Sequence, residues 1–262
     1  MVDYHMHTPL CGHASGSADE YVESAIAGGF REIGFSDHAP MPEGLRKGIS
    51  MSPDEAEGYV SSIEAIKQEY GGKIKVRLGF EVDFPLFESF DEKYLTDARI
   101  DYLIGSCHFV DGWAFDHPAH IDGYNGRDID DLYDRYYSQL EGLVESGLFD
   151  IVGHFDLVKK FGYRPKKDFS RTIEKIAGIA AAKKVAVEIN TNGISHPVRE
   201  IYPSDKIIGI LFDRNVAVTF GSDAHSPDRV GYRFTEAAEK IRRAGYRKIC
   251  GFSGRKRYDI VL

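Results

Sequence analysis

Cysteine is scarce in this chain of 262 residues, which carries only Cys11, Cys107 and Cys250. An odd number at no metal-finger spacing argues against a disulfide framework and suits a reducing compartment. Cys11 and Cys107 sit close to histidines, yet read first as small core residues rather than thiolate ligands. Long apolar runs are also missing. None approaches the ~20 residues that a membrane helix needs, and residues 1–20 lack the basic start and apolar stretch of a signal peptide. A soluble, cytoplasmic protein with no membrane partner is expected. Basic excess is absent too: 33 Lys and Arg against 41 Asp and Glu leave a formal net charge of −8, so no broad basic surface for nucleic acid is expected. Part of the negative charge should sit where bound cations offset it. No Pro/Ser-rich linker, low-complexity tract or fixed-period repeat divides the chain, and residues 1–262 read as a single domain.

What is present is an alternation. Seven apolar, β-branched runs, at 2–7, 32–36, 74–80, 102–107, 151–154, 185–189 and 216–221, are each followed by helical spacing. The predicted helices cover 18–27, 53–70, 90–98, 129–146, 169–183, 205–213 and 234–244. Parallel strands with crossover helices produce this pattern. Near-continuous runs such as Val185-Ala186-Val187 fit strands buried on both faces. Seven units closing on themselves predict a distorted (β/α)7 barrel, with an open doubly wound sheet as the alternative topology.

The chemistry collects at one end of those strands. In an extended strand His5 and His7 project to the same face, and His13 follows shortly after. Asp37 and His38 end the second strand, Glu81 the third, His108 the fourth and His154 the fifth; Asp223 and His225 end the seventh. A lone histidine at a strand end is more often a hydrogen-bonded core residue than a ligand. Seven of the ten histidines at equivalent places in five units are not explained that way. Barrel enzymes build their sites on this face. The sixth strand contributes Glu188, Asn190 and Asn192, suited to orienting ligands or contacting substrate. Nine convergent ligands exceed the needs of one ion, so two or three divalent ions are expected, with zinc, iron and manganese all compatible with mixed N and O donors. Clustered ions activate water and polarise ester oxygens, and a phosphate ester is the natural substrate.

His5-x-His7, Ser36-Asp37-His38-Ala39-Pro40, Gly79-Phe80-Glu81-Val82-Asp83, Gly105-Ser106-Cys107-His108 and Gly221-Ser222-Asp223-Ala224-His225 resemble motifs of the PHP (polymerase and histidinol phosphatase) family, in its histidinol-phosphatase branch. The resemblance runs the length of the chain. It implies a trinuclear centre: one ion on His5, His7, Glu81 and Asp223, a second bridged by Glu81 and held with His108 and His154, a third on His13, His38 and His225. It further implies L-histidinol phosphate as substrate and a place in histidine biosynthesis. Other branches act on nucleic acids, so a nuclease or nucleotide phosphoesterase is one alternative, and a non-enzymatic metal-binding barrel another.

Phosphate recognition calls for cations beside the metals, and a guanidinium can bind two oxygens at once. Arg164 and Arg199, in the loops after the fifth and sixth strands, are the expected clamps; Lys159 and Lys160 read as exposed charges. Asp223 is a candidate to accept the water proton, and Asp37 or a metal-bound water to supply one. Asp83 and Asp116 are candidates to meet the substrate ammonium. His117, His120 and His196 lie in loops and read mainly as solvated, and the segment 41–51 is a candidate lid.

Overall fold

The computed structural model describes residues 1–262. Seven strands form one all-parallel sheet in chain order: β1 (Val2–Asp3), β2 (Glu32–His38), β3 (Lys75–Asp83), β4 (Tyr102–Ser106), β5 (Ile151–Val152), β6 (Ala186–Asn190) and β7 (Val218–Gly221). The sheet curls until its edges meet. Tyr4 N donates to Phe220 O at 3.0 Å, Ala224 N to His5 O at 3.1 Å and His7 N to Ala224 O at 2.9 Å, which nearly closes the distorted (β/α)7 barrel. The ladder of β1 is shorter than the expected run 2–7: beyond Asp3 the chain bonds to both neighbours, with Ser36 N donating to Met6 O at 3.0 Å while the bonds to Phe220 and Ala224 close the other side.

Helices pack outside. The helix Ile129–Ser146 shows why such segments form: Leu132, Tyr133, Tyr136, Tyr137, Leu140, Leu143 and Val144 recur at helical spacing and are buried. Asp128 caps its start by accepting from Asp130 N at 2.9 Å, and Gly147 ends it at φ 66°. Five other expected helices form with bounds within one residue of expectation: Ala18–Ala27, Pro53–Tyr70, Ser170–Lys183, Asp205–Asp213 and Phe234–Ala244. No helix is long and apolar enough to cross a membrane.

The expected helix at 90–98 does not form; two 3-10 segments, Phe84–Ser89 and Glu92–Leu95, replace it. Asp91 and Asp97 use their carboxylates on Lys93 N at 3.0 Å and Arg99 N at 2.9 Å, offering the backbone partners that compete with a helix. Phe90 and Tyr94 still reach the core.

A hairpin that the periodicity did not reveal, β8 (Lys248–Ser253) and β9 (Lys256–Val261), covers the opposite end of the barrel from the histidines. Its turn, Gly254-Arg255, takes φ 53° and 62°, the two left-handed residues of a tight hairpin turn. Phe252 packs against Tyr4 and Tyr102. With that end sealed, the strands' carboxyl ends are the open face.

Candidate metal centre

Strand register sets the site's geometry. In the β2–β3 ladder His38 lies opposite Glu81, so an imidazole and a carboxylate enter the barrel mouth side by side. Glu81 is its pivot. Its Oε1 lies 2.9 Å from His154 Nε2 and 3.5 Å from His108 Nε2; its Oε2 lies 3.0 Å from His38 Nδ1, 3.2 Å from His5 Nε2 and 3.6 Å from His7 Nε2. One carboxylate thus faces two sets of imidazoles, one on each oxygen. Asp223 Oδ1 sits 3.2 Å from His7 Nε2 and 3.8 Å from His5 Nε2. On the outer side the rings of His13 and His225 stack with centroids 4.6 Å apart, and His38 lies 5.7 Å from His13.

Four of the imidazoles are held from behind. Nδ1 of His5 meets Glu188 Oε1 at 2.6 Å, and that of His108 meets Asp83 Oδ2 at 2.8 Å. For His13 and His225 the Nδ1 partners are the carbonyls of Cys11 at 3.0 Å and Asp223 at 2.9 Å. Fixing one ring nitrogen this way points the other forward and sets its tautomer, as in metal-ligating histidines. The forward nitrogens of His5, His7 and His225 are buried with no hydrogen-bond partner. Buried polar atoms are normally satisfied. A bound cation would satisfy these, and the donor set fits divalent ions.

Electrostatics support that fit. Burial would raise the Glu81 carboxyl, but the imidazoles of His5, His38 and His108 outweigh it and hold it well below the usual range. Burial likewise opposes ionisation of Asp223, and His5 and His7 reverse it. Burial would lower His7, yet Asp223 and Asp37 carry it up to about 9. The pocket keeps its carboxylates ionised and attracts positive charge.

Backbone conformation contributes as well. Asp223 adopts φ 54°, a costly left-handed conformation for a residue with a side chain, and such strain concentrates at functional sites. Asp3, which sequence reasoning passed over, secures that loop. Its Oδ1 accepts from Ser222 N at 2.9 Å and its Oδ2 from Gly231 N at 2.9 Å. An acidic residue two positions before the first histidine was the available signal.

Several expected roles change. Asp37 is wholly buried and engaged: Oδ2 accepts from Thr8 N at 3.0 Å and from the Thr8 hydroxyl, and Oδ1 from His38 N at 3.1 Å. It ties the backbone after His7 to that of His38 and does not line the cleft. Asp83 directs both oxygens to His108, accepting from its N at 3.0 Å and facing its Nδ1 at 2.8 Å, and it does not line the cleft, so its contacts are those of a group that orients the imidazole. Arg164 pairs with Glu200 at 2.7 Å beside a separate cavity, and Arg199 lies on an exposed loop with its guanidinium 3.4 Å from Ile194 O. Neither lines the cleft. Lys159 is 1% exposed, bonded to Asp156 and Glu200, so the reading of it as a surface charge fails.

The cleft above the ligands has a volume of about 430 Å³. Lys160 lines it, 3.0 Å from Asp116, together with His117, His196 and Asn192. Burial would raise Asp116, but Lys160 and then His108 bring it down to about 2. Burial and then Lys160 push His196 down to about 4, so it is neutral at neutral pH. Met41, Gly48 and Ile49 form part of the wall. The segment 41–51 is pinned at its ends by buried Met41 and Met51, with Met41 N donating to Ser50 Oγ at 3.2 Å. Cys11 is buried near His13 and His225, and burial, then Asp37, push its thiol up to about 12, consistent with a core residue.

A parallel barrel that gathers seven imidazoles and two carboxylates at the mouth belongs with the metal-dependent hydrolases. Comparison with known proteins makes the class specific. The PHP domain family matches residues 3–192, and the chain belongs to that family. It is 40% identical over 252 residues to a probable histidinol-phosphatase of Deinococcus radiodurans, covering 95% of each chain. Identity to the histidinol-phosphatase of Bacillus subtilis is 29%, over 91% of this chain and 98% of that one. The same fold occurs in a Lactococcus lactis histidinol phosphate phosphatase, whose crystal structure contains zinc, L-histidinol and phosphate. The TM-score is 0.81 at 24% identity, covering 98% of both chains.

Proposed function

We propose that this chain is a metal-dependent phosphomonoesterase that hydrolyses L-histidinol phosphate to L-histidinol and phosphate in histidine biosynthesis. The observation that carries the reading is Glu81, a buried carboxylate with His154 and His108 on one oxygen and His38, His5 and His7 on the other. A carboxylate so placed suits bridging two ions. The 40% identity to the Deinococcus relative supports the choice of substrate.

His5, His7, Glu81 and Asp223 would hold one ion, Glu81 with His108 and His154 a second, and His13, His38 and His225 a third. When bound, zinc, iron or manganese would supply Lewis acidity to the phosphoryl oxygens and make water nucleophilic at neutral pH. The chain's own groups do the rest. Asp223, at the cleft and kept ionised, can accept a proton from attacking water. The Lys160 ammonium faces the cleft where phosphate charge needs a partner. Asp116, ionised beside it, meets the ammonium of the substrate. The ring of His108, held by Asp83, and that of His5, held by Glu188, cannot turn away between turnovers. Residues 1–262 act in this reading as one domain, and three unpaired cysteines support a cytoplasmic location.

The test is phosphate release by protein of counted metal content from L-histidinol phosphate, an aryl phosphate and a dinucleotide. Preference for the first supports the reading. Ions with preference for another ester keep the centre and replace the substrate; ions with no turnover favour a metal-binding barrel without catalysis.

A further inference from the structure

Two cations line the cleft, and they differ in one respect. Lys160 is paired with Asp116 at 3.0 Å, whereas Arg229 has no carboxylate within ion-pair distance. Arg229 is nevertheless fixed. Its guanidinium stacks on the Tyr232 ring, 3.4 Å from the centroid, and its Nη2 donates to Ser195 Oγ. Beneath it the backbone is braced: Arg229 N donates to Ser226 O at 3.0 Å, Tyr232 N to Arg229 O at 3.0 Å, and Ser24 Oγ to Pro227 O at 2.6 Å. Stacking orients the planar fork while leaving most of its N–H groups unused. Asp223 and His225, four to six residues earlier on the same loop, line the same cleft.

A preorganised, uncompensated guanidinium beside a cation-binding centre is suited to one kind of ligand, an oxyanion held between the ions and the fork. We propose that Arg229 is the phosphate-binding arginine of this chain, with Ser195 and Tyr232 as its positioning residues. This extends the phosphatase reading and assigns to the loop after β7 the task that the sequence suggested for Arg164 and Arg199. Ser195 tethers one N–H, and the Tyr232 ring supplies a flat support without neutralising the charge.

The test uses the metal-loaded protein with Arg229→Met, Arg229→Lys and Ser195→Ala. Metal content, melting temperature, KM and kcat for L-histidinol phosphate, and affinity for inorganic phosphate by calorimetry are measured. Arg229→Met is expected to weaken inorganic phosphate and raise KM on the order of 10- to 100-fold with metal content unchanged. Arg229→Lys recovers part of the loss, and Ser195→Ala loses less than Arg229→Met. Competitive inhibition by L-histidinol, which carries no phosphate, stays as in the wild type. Unchanged phosphate affinity in Arg229→Met at full metal content would overturn the proposal. If the wild type fails to cleave L-histidinol phosphate while Arg229→Met still loses inorganic phosphate, the substrate reading falls and the role of Arg229 stands.

Discussion

Glu188→Gln isolates what the groups behind the ligands contribute. The wild-type carboxylate accepts from three donors: His5 Nδ1 at 2.6 Å through Oε1, and His154 N at 2.8 Å and Asn190 Nδ2 at 3.0 Å through Oε2. Glutamine fills the same space with one acceptor and one NH₂ group. With its oxygen toward His5, the NH₂ faces the His154 and Asn190 donors and leaves a buried N–H unpaired, which costs about 1–3 kcal/mol. In the other orientation the NH₂ faces His5 Nδ1, which must then become an acceptor. The ring proton moves to Nε2, the nitrogen 3.2 Å from Glu81 that would hold the ion in the proposed centre. Either way metal affinity is expected to fall roughly 10- to 100-fold, or about 1.4–2.8 kcal/mol. The assay is bound metal per chain against buffered free zinc, with turnover measured at limiting and saturating metal. Turnover should drop steeply at limiting zinc and recover substantially when metal saturates. Wild-type affinity in the Gln variant would refute the argument that Glu188 fixes the His5 tautomer.

Other outcomes follow from neighbouring geometry. A Cβ at Gly221 would stand 1.8 Å from Glu188 Oε1 and 2.7 Å from His5 Cβ, so Gly221→Ala should cost roughly 1–3 kcal/mol of stability by overpacking and lower metal content, read by melting and metal analysis. His38→Ala should reduce bound metal toward two ions with a large loss of turnover; unchanged metal and rate would remove His38 from the centre. Arg164→Ala breaks a half-exposed pair with Glu200, and should leave kcat and KM unchanged while shifting stability by no more than about 1 kcal/mol. Chelation should abolish turnover and lower the melting temperature, because ions that bind only the folded chain stabilise it by mass action; an identical melting curve after chelation would contradict a built metal centre.

The barrel was legible in the sequence because its parallel strands are buried on both faces and its helices on one, giving distinct periods. Helix ends were legible where the chemistry is local, as at Gly147. The segment 90–98 misled because Phe90 and Tyr94 are spaced like a helical pair, while Asp91 and Asp97 divert the backbone. The hairpin after residue 247 was missed although its strand 256–261 alternates and Gly254 marks the turn. The histidines and carboxylates at the barrel mouth stood out because strand ends converge by topology alone. The roles of Asp83, Asp37 and the arginines did not, since they depend on which way a loop folds. Asp83 turns back to His108, Arg164 turns to Glu200, and Arg229 comes forward on a loop held by Asp3.

The most direct test of the account is to strip the protein of metal, return zinc or manganese in counted equivalents, and follow phosphate release from L-histidinol phosphate at each step. No release is expected from the stripped chain, with activity rising as the sites fill and levelling at two or three ions per chain. Full turnover by the stripped chain, or filled sites with no release from any phosphate ester, would contradict it.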